Sequence, residues 1–121
     1  MKSTLRMTPI VKLRPFGFSW EGFGIEQVIT LTDSREGEYF TWSNPSGPEV
    51  DLVLSKSKGL FGFEFKAGDG PTKTKSMATA VDELNLTKLF VVYPGKTNYS
   101  LDSKIEAVGI ENLPLALAEI R

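Results

Sequence analysis

Neither histidine nor cysteine occurs anywhere in the 121 residues. Without histidine there is no serine–histidine triad, no imidazole general base and no imidazole ligand for a transition metal. Without cysteine there are no disulfides, thiolate nucleophiles or thiolate zinc sites, as expected of a protein in the reducing cytoplasm. No apolar run approaches the roughly 18 residues of a membrane span, so no membrane partner is expected. The first fourteen residues carry Lys2, Arg6, Lys12 and Arg14, but no long apolar core or small-residue cleavage site follows, so no signal peptide is expected either. A net charge of -1 gives no overall attraction to nucleic acid. Any catalysis must therefore use carboxylates, lysine, tyrosine or backbone groups, and any metal must be a hard, magnesium-like or calcium-like cation held by oxygen.

What is present is ordinary globular composition, 40% hydrophobic and 24% charged, at a length suited to one domain. Residues 1–18, with Pro9, Pro15 and Gly17, read as a lead-in holding one strand-like piece at residues 10–13; residues 19–121 read as a single domain. Ser19 stands as an N-cap before a helix over residues 20–31, whose apolar positions include Trp20, Phe23, Val28 and Leu31. Gly22 and Gly24 each cost such a helix about 1 kcal/mol relative to alanine, which points to close approach of another backbone. Strands are expected over residues 38–42, 49–54 and 60–66. Thr72 is placed to cap a helix over residues 73–84. Residues 89–93, a continuous apolar run, read as a strand buried on both faces with a parallel partner. Residues 105–110 form a further strand, and Asn112 is placed to cap a terminal helix with Pro114 in its first turn. The order α-β-β-β-α-β-β-α implies a mixed central sheet flanked by helices, an α/β or α+β fold.

The informative stretch runs from Glu49 to Lys66. Period-two alternation puts Val50, Leu52 and Leu54 on one face and Glu49, Asp51 and Val53 on the other; it then sets Phe61, Phe63 and Phe65 opposite Gly62, Glu64 and Lys66. Asp51, Glu64 and Lys66 can then meet on one side of a hairpin, with Lys66 roughly 7 Å along the strand from Glu64. Carboxylates that hold a cation, beside an ammonium that steadies a water or phosphate, are what metal-assisted phosphodiester hydrolysis requires. Salt bridges on an outer strand face account for the same residues without any chemistry. Residues 56–75 carry Lys56, Lys58, Lys66, Lys73 and Lys75 against Glu64 and Asp69. Lys73 and Lys75, at a helix N-terminus where the dipole disfavours cations, are candidates to hold a phosphate, while a solvated lysine face explains them equally. Gly95-Lys96-Thr97 is no phosphate loop, because Phe90 stands where the first glycine belongs, and no ATP site is expected.

Asp51 followed by Glu64-Phe65-Lys66 resembles the PD-(D/E)xK nuclease signature, with Pro48 displaced from its place directly before the aspartate. Longer phrases, Ser19 to Gln27, Ser46 to Leu52, Gly62 to Lys66 and Val91 to Gly95, are similar to the C-terminal domain of a prokaryotic family of AAA+-type ATPases, grouped with the restriction-endonuclease-like fold. The resemblance implies a Mg²⁺- or Mn²⁺-dependent nuclease acting on nucleic acid. Glu21 would be its helix acid, Asp51 and Glu64 its metal ligands together with the Phe65 backbone carbonyl, and Lys66 its catalytic lysine. The alternative it leaves open is a nuclease-fold module without catalysis that binds nucleic acid or protein. No ATPase module is encoded here, so an ATPase would act in trans or belong to a longer chain.

Overall fold

The computed structural model describes residues 8–9, as backbone, and 19–121; the strand expected at residues 10–13 lies outside them. The strands are β1 (Thr8–Pro9), β2 (Tyr39–Ser43), β3 (Glu49–Lys56), β4 (Gly59–Phe65), β5 (Lys88–Tyr93), β6 (Tyr99–Asp102) and β7 (Ile105–Gly109). The helices are α1 (Trp20–Leu31), α2 (Lys75–Leu84) and α3 (Leu113–Leu117), the last preceded by a 3₁₀ turn at Ile110–Asn112. The strands form one seven-stranded sheet in the order β1-β2-β3-β4-β5-β7-β6. Pairing is antiparallel from β1 to β4, parallel between β4 and β5 and between β5 and β7, and antiparallel again at β6. This is the mixed, helix-flanked α+β sheet expected from the sequence. Among the described residues no helix is long and apolar enough to cross a membrane.

Each face of the sheet has its own core. Ile25, Val28 and Ile29 of α1 and Leu113 and Leu117 of α3 pack on Leu52, Leu54, Phe61, Phe63, Phe65, Phe90 and Val92. On the opposite face Met77, Ala80, Val81 and Leu84 of α2 pack on Val50, Val53, Leu89 and Val91. The run in β5 is apolar throughout because both of its faces are covered and both of its neighbours are parallel strands.

Several expectations need correction. Val50 does not share a face with Leu52 and Leu54. The β2–β3 register passes from Phe40↔Val53 to Trp42↔Val50, so β3 carries one extra residue opposite Thr41, a bulge at Asp51 and Leu52. The loop between β3 and β4 is not the five-residue link of the sequence reading. Pairing reaches Lys56↔Gly59, leaving Ser57 and Lys58 as a two-residue turn closed by Gly59 at φ +132°. The nearest neighbour of Gly24 is a side chain, not a backbone; a Cβ there would stand 2.3 Å from a ring carbon of Phe65. Thr74, not Thr72, caps α2, accepting from the Met77 N–H at 3.2 Å, so the helix starts two residues later than expected. Asn112 does not cap α3 with its side chain; its amide donates to the Lys96 carbonyl at 2.7 Å.

The sequence reading missed β6 altogether. It pairs with β7, and it holds the segment after β4 in place: Tyr99 Oη donates to the Pro71 carbonyl at 2.7 Å and Asp102 pairs with Lys73 at 2.7 Å. That segment delivers the start of α2 to the end of the sheet.

Candidate functional site

At the end of β4 and the start of β3, the first turns of α1 and α2 approach the sheet edge from opposite faces. Between them lies a cavity of about 410 Å³ lined by Glu21, Glu49, Asp51, Glu64, Phe65 and Lys66, with Thr74 and Ser76 from the start of α2. Every residue of the nuclease-like set therefore borders a single pocket.

Local chain geometry explains each position. Ser19 Oγ accepts from the Gly22 N–H at 3.0 Å, fixing the first turn of α1 and with it Glu21. The β3–β4 ladder ends at Leu52↔Phe63. Beyond it Asp51, released from simple alternation by the bulge, turns its carboxylate along the sheet, and its Oδ2 accepts from the Phe65 N–H at 2.9 Å. A side chain thus takes the place of a backbone acceptor for an almost fully buried residue. Glu64 is only 8% exposed, whereas the Lys66 side chain is about half exposed and brings its Nζ to 3.6 Å from Glu64 Oε1.

The electrostatics are dominated by crowding of like charge. Burial raises the Glu64 carboxyl above the ordinary glutamate range, against the lowering effect of Lys66 and with help from Asp51 and Glu49. Asp51 is likewise raised, chiefly by burial, which the Phe65 N–H, although it favours the anion, does not overcome. Glu21, though solvent-accessible, is raised by partial desolvation, then by Asp51, then by Glu49. Four carboxylates and one ammonium face the cavity, so it is an anionic pocket.

The comparisons with known proteins place the chain in a family. Residues 16–113 match the family described as Domain of unknown function (DUF4143). The chain belongs to the DUF4143 family. Two uncharacterized proteins, from Mycobacterium bovis and Mycobacterium tuberculosis, are each 34% identical to this DUF4143 domain over 97 residues, 80% of the chain and 22% of theirs. The chain thus spans about a fifth of the length of these relatives. No solved structure matches it.

In this DUF4143 domain the donor set is entirely oxygen, which suits a hard cation such as Mg²⁺ or Mn²⁺. Among the described residues no three carboxylates stand close enough together to hold one ion. The fit therefore rests on two carboxylates, Asp51 and Glu64, with the backbone of Phe65 between them at the pocket wall.

The two phosphate candidates are not brought to the cavity. Lys73 lies before α2 and is engaged by Asp102, and Lys75 begins the helix without lining the pocket. Nor do the lysines of residues 56–75 form one basic surface. Lys56 donates to the Thr32 carbonyl and pairs with Glu38, and Lys58 donates to the Glu119 carbonyl. Glu49 is the site residue the sequence reading overlooked. Its signal was present, since it alternates with Asp51, but it falls outside the nuclease signature.

Proposed function

We propose that this domain is a restriction-endonuclease-like module of the PD-(D/E)xK type that hydrolyses nucleic-acid phosphodiesters with a divalent cation. The observation that carries the reading is the meeting of Glu21, Asp51, Glu64 and Lys66, from one helix and two strands, around one cavity. The succession α1-β2-β3-β4-α2-β5, with Glu21 on α1, Asp51 on β3, Glu64 on β4 and Lys66 directly after β4, supports it.

The charge balance sets the chemical requirement. A phosphodiester cannot enter a pocket with four carboxylates and one lysine unless the carboxylates are neutralised. A bound Mg²⁺ or Mn²⁺ would offset two of these four negative charges, and would polarise the phosphate and lower the pKa of bound water. Asp51 and Glu64 are the residues that would hold it, Asp51 already oriented by the Phe65 N–H. Lys66, half exposed and beside Glu64, keeps a positive charge where charge develops on the phosphate. An ATPase partner, on a longer chain or in trans, belongs to the same proposal.

A second reading, a nuclease-fold module that binds without cutting, is favoured by two observations: Lys66 is paired with Glu64, and among the described residues no three-carboxylate cluster is preformed. Micromolar protein incubated with single-stranded, duplex and branched DNA and with RNA, with Mg²⁺, Mn²⁺ or a chelator, separates the two. Cation-dependent cleavage abolished by Glu64→Gln is expected. Absence of cleavage on all substrates supports the binding module.

A further inference from the structure

The four charged residues come from elements packed on different sides of the sheet edge, and one residue touches all the parts. Phe65 separates Glu64 from Lys66 in sequence, so its backbone sets where both side chains leave β4. Its N–H is the donor to Asp51 Oδ2 at 2.9 Å. Its ring lies against Gly24 of α1 so closely that a Cβ at Gly24 would fall 2.3 Å from Cδ1 and 2.4 Å from Cε1. Gly24 is three residues after Glu21, almost one helical turn, so the depth at which α1 seats on the ring sets how far Glu21 reaches toward the sheet. A glycine here costs helix stability, and this contact is what it makes possible.

We propose that Phe65 is the positioning residue of this pocket: its ring, seated on Gly24, sets Glu21 in register with Asp51, which its own N–H holds. The proposal rests on the reading of the cavity as the functional site, but its test uses neither cation nor nucleic acid. The outcome is therefore independent of whether the domain cuts anything.

The position of α1 can be read from the titration of Glu21, followed by carboxyl carbon NMR in the whole chain. The groups facing Glu21 are Asp51 and Glu49, and Glu64 and Lys66 share the cavity. In the native protein Glu21 is expected to titrate above the ordinary glutamate range. Gly24→Ala forces the helix off the ring, and Glu21 is expected to fall toward the ordinary value while the Phe65 amide keeps the chemical shift of its bond to Asp51. Phe65→Ala removes the ring on which α1 seats and is likewise expected to lower Glu21 toward the ordinary value, whereas Phe65→Leu, which keeps an apolar body against Gly24, is expected to hold it raised. If Gly24→Ala does not fold, Phe65→Leu and Phe65→Ala are compared with the native protein directly; a raised Glu21 in the first and a lowered one in the second uphold the proposal. A merely structural contact changes melting temperature without moving Glu21. The proposal is overturned if folded Gly24→Ala leaves Glu21 unchanged, or if folded Phe65→Ala keeps Glu21 raised.

Discussion

Replacing Asp51 by alanine and by asparagine separates two roles that one carboxylate performs. Its Oδ2 is the acceptor for the N–H of Phe65, a residue 8% exposed, at 2.9 Å. Alanine strands that donor, at a cost of about 1–3 kcal/mol; asparagine keeps an oxygen in reach. For a chain of 121 residues, 1 kcal/mol shifts the melting temperature by roughly 3–5 °C, between the small- and large-domain values. Asp51→Ala is thus expected to melt about 3–15 °C below Asp51→Asn. The charge adds a pH-dependent part. Burial first, with Glu49 adding to it, raises the Asp51 carboxyl in the folded state. Its contribution to stability is therefore full at acid pH and lost as pH rises through the folded-state value. Asparagine is expected to gain on the native protein toward neutral pH and to lose that advantage in acid. The gap between alanine and asparagine, both uncharged, stays constant with pH. Urea and thermal denaturation followed by circular dichroism from pH 4 to 8 measure both parts. Equal melting temperatures for the two variants would refute the role assigned to the Phe65 N–H.

Other expectations follow from the same geometry. Glu64→Gln removes a buried carboxylate raised mainly by desolvation, so it is expected to stabilise the cation-free protein at neutral pH and to lose that advantage in acid, read by melting curves at two pH values. Lys66→Ala removes the nearest cation, and Glu64 is expected to titrate higher still by NMR. Gly59→Ala, at φ +132° with Thr87 Oγ1 only 2.2 Å from the added Cβ, is expected to cost about 1–3 kcal/mol in denaturant titration. Lys73→Ala breaks an ion pair exposed on both sides and is expected to leave nucleic-acid cleavage nearly unchanged in the nuclease assay.

Much of the fold is legible in the sequence because local signals agree with the tertiary result. Ser19 caps α1, and the apolar run in β5 is buried on both faces. What escaped depends on pairing. A one-residue bulge leaves no mark on alternation until the β2 partner is known, so alternation alone puts Val50 on the wrong face. The short edge strand β6 alternates weakly between half-buried and exposed residues, and without it Lys73 had no visible partner. The identity of the contact at Gly24 was equally hidden, since Phe65 lies far away in sequence. That Asp51, Glu64 and Lys66 line one pocket was legible because their spacing survives the bulge: the bulge redirects Asp51 without removing it from the end of the sheet. Glu49 was missed because a signature names only the residues it contains.

Calorimetric titration of Mn²⁺ into the native protein, Asp51→Asn and Glu64→Gln tests the central claim, a divalent-cation site between β3 and β4, most directly. The account predicts saturable binding to the native protein that is lost in both variants while each remains folded. No saturable binding to the native protein, or binding that survives both substitutions, would contradict it.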